Sequence, residues 1–369
     1  MLRTVSRVLC CLLCVAPVSA LAQEAPVRVA IVGLVHGHVS GLLDQIKQHP
    51  EVELVGVADP DESLRQKYAA QYHLDPAMFF PTEAAMLDAK HPQAVLVYTS
   101  IAGHRAAIEE AASRHIASMV EKPLATTVAD ALAIRKVARE QKVPVLVNYE
   151  TTWYASNRAA YDELQAGHLG PLRKLVVHDG HKGPAEIGVQ PEFLKWLTDP
   201  QQNGAGALFD FGCYGADLAT WLMHGEAPLT VTAVAQQLKP EVYKHVDDEG
   251  TIILTYPHAQ AILQASWNWP FDRKDMEVYG ATGTLMTIKK DKVVERRAGS
   301  EAGTEREATP LAAPEDDSMH YLVAVLRGKL QPHGDLTALD TNMIVVQILD
   351  AARASVQSGK TVKLSPLPE

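Results

Sequence analysis

The amino-acid sequence predicts an α/β protein with two domains: an N-terminal doubly wound parallel sheet, and a C-terminal α/β domain with a large open, mostly antiparallel sheet. Between residues 27 and 150, strand-like and helix-like segments alternate, and the strand-like segments are almost continuously apolar, which is typical of a parallel sheet covered on both faces. Beyond residue 150, several strand-like segments alternate in polarity or pair across short turns, which favours antiparallel pairing. The length of 369 residues also suggests two domains.

The individual elements follow from these patterns. In the first domain, strands are predicted at VRVAIVG, VELVGVAD, AVLVYTS, IASMVEKP and VPVLVNYE, with helical segments between them. The second domain begins with the helix NRAAYDELQAG and continues through strands at LRKLVVHDG, LTVTAVAQQL, EGTIILTYP, AQAILQASWNW, KDMEVYG and GTLMTI. Residues 296–314 are expected to form an exposed loop. The chain then ends with a helix at DLTALDTNMIVVQILDAARASVQSGK and a short strand at TVKL.

The N-terminus has the pattern of a secretory signal peptide. Arg3 and Arg7 precede the short apolar core VLCCLLCVA, and the small residues Ala20 and Ala22 form a cleavage site. The sequence therefore predicts a signal peptide at residues 1–22, cleavage near Ala22, and a secreted or periplasmic mature protein without a membrane span. The domains are then expected at residues 23–150 and 151–369, with the C-terminal helix able to pack back on the first domain. The net charge of −10 argues against a nucleic-acid partner.

The stretch VRVAIVGLVHGHVSGLL resembles a dinucleotide-binding strand and turn, but its glycine fingerprint is broken. Gly33 occupies the first glycine position, whereas Val35 and His38 occupy the second and third. Asp59 ends the second strand, where a carboxylate accepts hydrogen bonds from the adenosine ribose and repels a 2′-phosphate, so NAD is favoured over NADP. The alternatives are a turn aspartate and an altered or empty crevice. The expected cofactor-binding residues of the turn are Gly33, Val35, His36, Gly37 and His38.

Three further stretches carry a family resemblance. They are TSIAGHRAAIEEAASRHIASMVEKPLA, NGAGALFDFGCYGADLATWL and TALDTNMIVVQILDAARASVQSGKTVKL. In this order they resemble the glucose-fructose oxidoreductase and inositol dehydrogenase family (Gfo/Idh/MocA), and the chain looks like a secreted member of it. The resemblance implies a nucleotide-binding domain, a second α/β domain with a large open sheet, a nicotinamide cofactor, and sugars or polyols as substrates. It also implies a homo-oligomer, because the open sheet in this family often meets a second subunit.

The same resemblance implies roles for individual residues. Lys122 of the EKP motif matches the lysine that contacts substrate near the nicotinamide, and Glu121 matches the acid near the nicotinamide ribose. Asp210 matches the acid that begins the second motif, and Tyr214 stands where many members have histidine. The residues that match the segment lining the cofactor are Thr99, Ser100 and His104.

The spacing of Asp210, Tyr214 and Asp217 places all three on one face of a helix. Hydride transfer from a carbinol needs a base, and a tyrosine beside a lysine can serve because the ammonium lowers the phenol pKa. We therefore expect Tyr214 as acid/base, Lys122 as its electrostatic helper and Asp210 as orienter, with the identity of the proton carrier, Lys122 or Tyr214, left open. The alternative is a polar stripe that faces solvent.

Further substrate-binding candidates are Trp153, His181, Lys182 and Asp217, beside Lys122, Asp210 and Tyr214. No metal is expected, because the histidine spacing around His178 and His181 matches no known ligand signature. The leading interpretation is a secreted NAD-dependent oxidoreductase acting on a sugar or polyol, with the cofactor held tightly. Two alternatives are an NAD-dependent glycoside hydrolase that uses transient oxidation and elimination, and a non-catalytic sugar-binding protein that kept the fold.

Overall fold

A computed structural model describes residues 24–300 and 302–368, so the predicted signal peptide and its cleavage site lie outside the described residues. The strands are β1 (Val27–Val32), β2 (Val52–Ala58), β3 (Phe79–Phe80), β4 (Ala94–Val97), β5 (Ala117–Glu121), β6 (Val145–Asn148), β7 (Leu172–Gly180), β8 (Thr230–Gln236), β9 (Glu249–Thr255), β10 (Gln260–Ser266), β11 (Arg273–Gly280), β12 (Gly283–Lys289), β13 (Lys292–Arg297), β14 (Thr304–Glu307) and β15 (Val362–Lys363). The helices are α1 (Val39–Ile46), α2 (Glu62–Tyr72), α3 (Glu83–Lys90), α4 (His104–Ala112), α5 (Val128–Gln141), α6 (Ala155–Gln165), α7 (Pro191–Leu197), α8 (Pro200–Asn203), α9 (Ala207–Asp210), α10 (Gly212–Leu222), α11 (Ser318–Leu326) and α12 (Leu339–Ser358). Within the described residues, every helix is too short or too polar to cross a bilayer.

The first sheet is parallel throughout and has the strand order β3-β2-β1-β4-β5-β6. The prediction of a doubly wound parallel sheet is confirmed, with the two-residue strand β3 as an additional edge. The strand order reverses between β1 and β4, and a crevice opens at the carboxyl ends of parallel strands where such a reversal occurs. A ligand site is therefore expected at this edge of the sheet.

The apolar strands supply two separate hydrophobic layers. Along β1, Val29 and Ile31 point into one layer, and Ala30 and Val32 point into the other. Because successive side chains of a strand point to opposite faces, only a continuously apolar strand can serve both layers.

Helix α11 completes one of these layers although it comes almost 300 residues after β1 in the chain. Its residues Leu322 and Val323 pack in the same layer as Val29 and Ile31. Asp317 caps the helix, since its Oδ1 accepts hydrogen bonds from the backbone N–H of Met319 (2.8 Å) and His320 (2.9 Å). Part of the second half of the chain thus belongs to the hydrophobic core of the first sheet.

The second sheet has nine strands in the order β14-β13-β12-β11-β7-β10-β9-β8-β15. All its pairs are antiparallel except β7 with β10, so the prediction of a mostly antiparallel sheet is confirmed. The prediction of a loop at residues 296–314 is wrong in part, because β13 and β14 form an edge hairpin there. The side chains of β14 are largely exposed at the sheet edge, and a polar strand is tolerated in that position.

Candidate active site

The glycine turn follows β1 and is built to bring backbone close to backbone. Gly33 has φ +88°, and a Cβ atom there would lie 2.7 Å from the backbone nitrogen of Thr99, so glycine is required. The N–H groups of Gly33 and His36 donate to the carbonyls of Ala58 (2.8 Å) and Tyr98 (3.1 Å). Among the described residues, the N–H groups of Val35 and Gly37 make no hydrogen bond to protein.

A cavity of about 580 Å³ lies beside this turn, at the carboxyl ends of β1, β2 and β4. Five of the predicted cofactor-binding residues line it: Gly33, Val35, Asp59, Thr99 and Ser100. The volume, the unengaged N–H of Val35 and the carboxylate at the second strand fit a dinucleotide. These residues would hold the cofactor if NAD binds here.

Asp59 has a structural role in the turn. Its Oδ2 accepts a hydrogen bond from the backbone N–H of Leu34 (2.7 Å), and its Oδ1 accepts one from Asp61 (2.8 Å). Burial raises the pKa of this carboxyl group, although the two backbone donors oppose the shift. The carboxylate therefore fixes the path of the turn, and its predicted contact with ribose remains a prediction.

His104 lies behind the cavity wall. It is fully buried, and its Nδ1 lies 3.2 Å from the carbonyl of Leu124. Burial lowers its pKa to about 4, so the ring is neutral at physiological pH. The structure therefore does not place His104 on the cavity surface with Thr99 and Ser100.

Helix α7 covers the other side of the glycine turn and gives a reason for the glycine at position 37. The Trp196 Nε1 donates to the carbonyl of Val35 (3.1 Å), and the rings of Phe193 and His36 lie 4.8 Å apart between centroids. A Cβ atom at Gly37 would lie 2.8 Å from the Phe193 ring. Gly37 thus makes room for a helix of the second domain.

Glu121, at the end of β5, is buried between the two histidines of the turn. Its Oε2 lies 3.1 Å from His38 Nδ1 and 3.9 Å from His36 Nε2. Burial alone would raise the Glu121 pKa, but the charge and hydrogen bond of His38 outweigh it and lower the pKa to about 2. Glu121 therefore carries a negative charge next to Lys122.

Lys122 forms a buried ion pair with Asp210 that joins the two domains. The Lys122 Nζ donates to the Asp210 Oδ1 (2.6 Å) and to the Asp210 carbonyl (2.8 Å), and each residue is only 6% exposed. The Trp267 Nε1 donates to the other carboxylate oxygen (2.9 Å). Burial opposes both charges, yet the pairing outweighs it, so the Lys122 pKa is raised and the Asp210 pKa is lowered.

Tyr214 lies in the same cluster, with its ring between two ammonium groups. The Nζ atoms of Lys122 and Lys274 lie 4.9 Å and 4.8 Å from the ring centroid. The expectation that lysine lowers the phenol pKa is wrong: burial raises it well above its ordinary value, and nearby acidic groups raise it further. Burial therefore favours the protonated phenol of Tyr214 over the phenolate.

The predicted polar stripe on one helix does not form. Asp210 ends α9 whereas α10 begins at Gly212, so the three residues are not on one continuous helix. Asp217 is fully buried in α10, and the charged group that acts on it is Asp335, which together with burial raises its pKa. The structure thus separates Asp217 from the Lys122 cluster.

Two other substrate-binding candidates also lie elsewhere. Trp153 lines a separate cavity of about 230 Å³ together with Tyr321, and its Nε1 donates to Asn148 (3.0 Å). Lys182 is exposed, and its carbonyl accepts a hydrogen bond from Lys239. Neither residue is placed beside the Lys122–Asp210 pair.

His181, by contrast, belongs to the cluster. Its Nδ1 accepts a hydrogen bond from the Gly183 N–H (2.9 Å), and its ring meets Phe211 edge-on at 4.9 Å. Burial lowers the His181 pKa, although the charge of Asp210 opposes that shift. The result is a neutral imidazole close to the Asp210 carboxylate.

Asp179, on β7, is a further buried acidic residue that was not predicted from the sequence, and it is 1% exposed. Both of its carboxylate oxygens lack a hydrogen-bond partner among the described residues, and burial raises its pKa well above the ordinary value. Lys274 and Lys122 are among the charged groups that act on it. The signal was the alternation along β7, which puts Asp179 on the same face as Leu175 and Val177.

Lys274 and Glu150 complete the cluster. They form an ion pair beside Tyr214, and Lys290 pairs with the same carboxylate at 2.9 Å. Burial would raise the Glu150 pKa, but these ammonium groups lower it well below its ordinary range. The site thus contains ammonium groups, carboxylates, a neutral imidazole and a protonated phenol at the domain junction.

Comparison with known proteins agrees with this architecture. Residues 27–149 match the model of the oxidoreductase family with an NAD-binding Rossmann fold, and residues 157–286 match that of the GFO/IDH/MocA C-terminal domain. A dTDP-3,4-didehydro-2,6-dideoxy-alpha-D-glucose 3-reductase from Streptomyces antibioticus is 27% identical over 64% of this chain and 68% of its own length. A D-apiose dehydrogenase from Paraburkholderia graminis is 25% identical over 85% of this chain and 84% of its own.

Solved structures show the same fold. The structure of an aldose-aldose oxidoreductase from Caulobacter crescentus, complexed with glycerol, superposes with a TM-score of 0.78 at 22% sequence identity. The superposition covers 92% of this chain and 100% of that chain. An inositol dehydrogenase homolog from Azotobacter vinelandii, complexed with NAD+, superposes with a TM-score of 0.79 at 19% sequence identity, over 92% of this chain and 98% of that chain. With both domains matched in order by models of one family, the chain belongs to the Gfo/Idh/MocA oxidoreductases with an NAD-binding Rossmann domain.

Proposed function

We propose that this protein is a secreted NAD-dependent oxidoreductase that acts on a CH–OH group of a sugar or polyol. The observation that carries the proposal is the buried Lys122–Asp210 pair: Lys122 directly follows β5, at the same carboxyl edge of the first sheet at which the cavity beside the glycine turn opens. Relatives named as sugar reductases and sugar dehydrogenases support the choice of substrate class.

Lys122 has the geometry of the group that handles the substrate oxygen. An ammonium has three N–H donors, and two of those on Lys122 are used by Asp210. The third can donate to a carbonyl or alkoxide oxygen of the substrate, and Asp210 keeps the ammonium charged inside the protein. When bound, NAD would accept or supply the hydride at the neighbouring carbon.

This assignment predicts which protonation state of Lys122 each direction of the reaction requires. In carbonyl reduction, Lys122 is already protonated at neutral pH and can donate its proton to the developing alkoxide. In alcohol oxidation, Lys122 must first lose a proton, and its raised pKa makes the neutral amine scarce. We therefore propose Lys122 as acid/base and the protonated Tyr214 as a hydrogen-bonding group.

Asp179 and His181 are proposed to hold the other hydroxyl groups of the substrate. A buried carboxyl group with no hydrogen-bond partner is costly, and a substrate rich in hydroxyl groups supplies the partners that the protein does not. The neutral His181 ring, with its Nδ1 used by Gly183, can donate from Nε2.

The first experiment is to denature the purified protein and measure released nicotinamide dinucleotide by absorbance and mass. Released or titratable NAD supports the enzyme; an empty protein without affinity for NAD would support a sugar-binding protein that kept the fold. Lys122→Met should abolish turnover while retaining NAD binding. Turnover equal to wild type would remove Lys122 from the mechanism.

A panel of free sugars, polyols and glycosides then separates the two enzymatic outcomes. Stoichiometric NADH from a sugar or polyol supports the proposed oxidoreductase. Cleavage of a glycoside without net NADH would replace it by a hydrolase that uses transient oxidation and elimination. Export through the signal peptide is part of the proposal, and mass analysis of the mature N-terminus would show whether cleavage occurs near Ala22.

A further inference from the structure

A cluster of two histidines and three acidic residues lies far from the cofactor cavity. His49 and Glu51 precede β2, at its amino end, whereas Asp59 and the cavity are at the carboxyl end of that strand. Asp316 and Asp317 directly precede α11, and His320 lies in its first turn. Helix α11 packs in the layer of the first sheet that contains Val29 and Ile31. The cluster therefore lies at the opposite edge of the sheet from the proposed active site.

The three residues His49, Glu51 and His320 have the spacing of metal ligands. One ligand atom from each lies within 4.8 Å of the other two. The Glu51 Oε1 is 2.7 Å from His49 Nδ1 and 3.3 Å from His320 Nε2. Ligands of a tetrahedral zinc ion lie about 3.3 Å apart, because Zn–N and Zn–O distances are about 2.0–2.2 Å.

The other nitrogen of each ring faces a carboxylate, which is a second and independent feature of metal sites. The His320 Nδ1 lies 2.8 Å from Asp316 Oδ1 and 2.8 Å from Asp317 Oδ2, and the same Asp317 oxygen is 3.6 Å from His49 Nε2. A carboxylate behind a ligating histidine fixes its tautomer and leaves the opposite nitrogen free to bind the metal. Asp317 is itself held in place, because its Oδ1 caps α11.

We propose that His49, Glu51 and His320 bind a divalent transition metal ion of the zinc type, with Asp316 and Asp317 orienting the two imidazoles. Glu51 and His320 are partly exposed, so water can occupy the fourth position. The ion would join the turn between α1 and β2 to the start of α11. It would thereby fasten a late segment of the chain to the first sheet and stabilise the folded state.

The alternative cluster of His36, His38 and Glu121 is less suited to a metal. The His36 Nδ1 accepts a hydrogen bond from the His38 N–H (3.3 Å), so a neutral ring carries its proton on the Nε2 that faces Glu121. That nitrogen is then unable to ligate.

The test uses the purified full-length mature protein, stripped with EDTA and titrated with ZnCl₂ at pH 7.5 by calorimetry and thermal melting. We expect one zinc ion per chain, a raised melting temperature, and reversal by EDTA. The variant His49→Gln/His320→Gln should lose saturable binding. Asp317→Asn, which still caps the helix, should weaken zinc affinity by about 10–100-fold.

Two single variants serve as controls. His333→Gln removes another histidine that lies beside an acid, 2.8 Å from Asp340, and should leave zinc binding unchanged. His38→Gln tests the alternative cluster and should also leave it unchanged. Absence of saturable zinc binding by the wild type, unaltered binding by the double variant, or loss of binding in His38→Gln would each overturn the proposal. The melting temperatures of the zinc-free variants show whether each one folds.

Discussion

The buried Lys122–Asp210 pair allows a test that needs no knowledge of the substrate. At an effective dielectric constant of about 20, unit charges separated by the observed 2.6 Å attract by about 6 kcal/mol before the cost of desolvation. Removing one partner leaves an uncompensated buried charge, which costs about 3–5 kcal/mol of folding stability. Lys122→Met and Asp210→Asn should therefore each be strongly destabilising, whereas the double variant removes both charges of the pair together.

The assay is a double-mutant cycle of urea unfolding at pH 7, followed by fluorescence. We expect the double variant to be more stable than the sum of the single losses predicts, by about 2–3 kcal/mol. A matched cycle on the exposed pair Lys136 and Glu140, 3.9 Å apart, should give a coupling of about 0.5 kcal/mol or less. Additivity of Lys122→Met and Asp210→Asn within about 0.5 kcal/mol would refute the idea of a desolvated, mutually dependent pair.

Three further predictions follow from the site. Tyr214→Phe should lower turnover by about 10²-fold with little change in stability, because the Tyr214 hydroxyl makes no hydrogen bond among the described residues. The control Tyr149→Phe loses the 2.9 Å hydrogen bond to Asn342 and should instead lower stability. An unchanged turnover in Tyr214→Phe would remove the phenol from the mechanism. If Asp59 repels a 2′-phosphate as proposed, Asp59→Asn should raise the affinity for NADP relative to that for NAD by about tenfold in binding titrations. Equal affinity ratios in the variant and the wild type would discard that role. Glu83, the first residue of α3, lines the cavity beside the glycine turn, and burial raises its pKa to about 8. The native carboxyl group therefore stays protonated while the unfolded one ionises near 4.5, so the free energy of unfolding falls as the pH rises between those values. Glu83→Gln should be about 1–3 kcal/mol more stable than wild type at pH 8 but not at pH 4.5, and a stability gain independent of pH would contradict this.

The first domain was predictable because its signals are local and repeated. Each strand is a continuous apolar run, Gly33 needs a positive φ, and parallel strands bring their carboxyl ends to one edge. The approach of Lys122 to Asp210 was expected from two family motifs, since no local pattern connects residues 88 positions apart.

The rest depends on packing that no single segment encodes. Helix α7 has seven residues, too few for a clear helical period. The role of Phe193 and Trp196 becomes visible only in the structure, where they contact His36 and Val35 of the glycine turn. The pKa of the Tyr214 phenol is raised because the residue is almost completely buried. The helical spacing of the polar residues around Tyr214 did not indicate this degree of burial. Alternation along β7 places Asp179 on the buried face with Leu175 and Val177, but its lack of a hydrogen-bond partner depends on the side chains packed around it.

The position of α11 against the first sheet has a consequence for how the molecule is made. During synthesis, residues 27–149 supply all strands of the first sheet and helices α1 and α2, which share a hydrophobic layer with Val29 and Ile31, but they lack α11. Part of that layer therefore stays uncovered until residues 318–326 have been added. The first sheet therefore completes its hydrophobic core only when residues 318–326, near the carboxyl-terminal end of the chain, have been made.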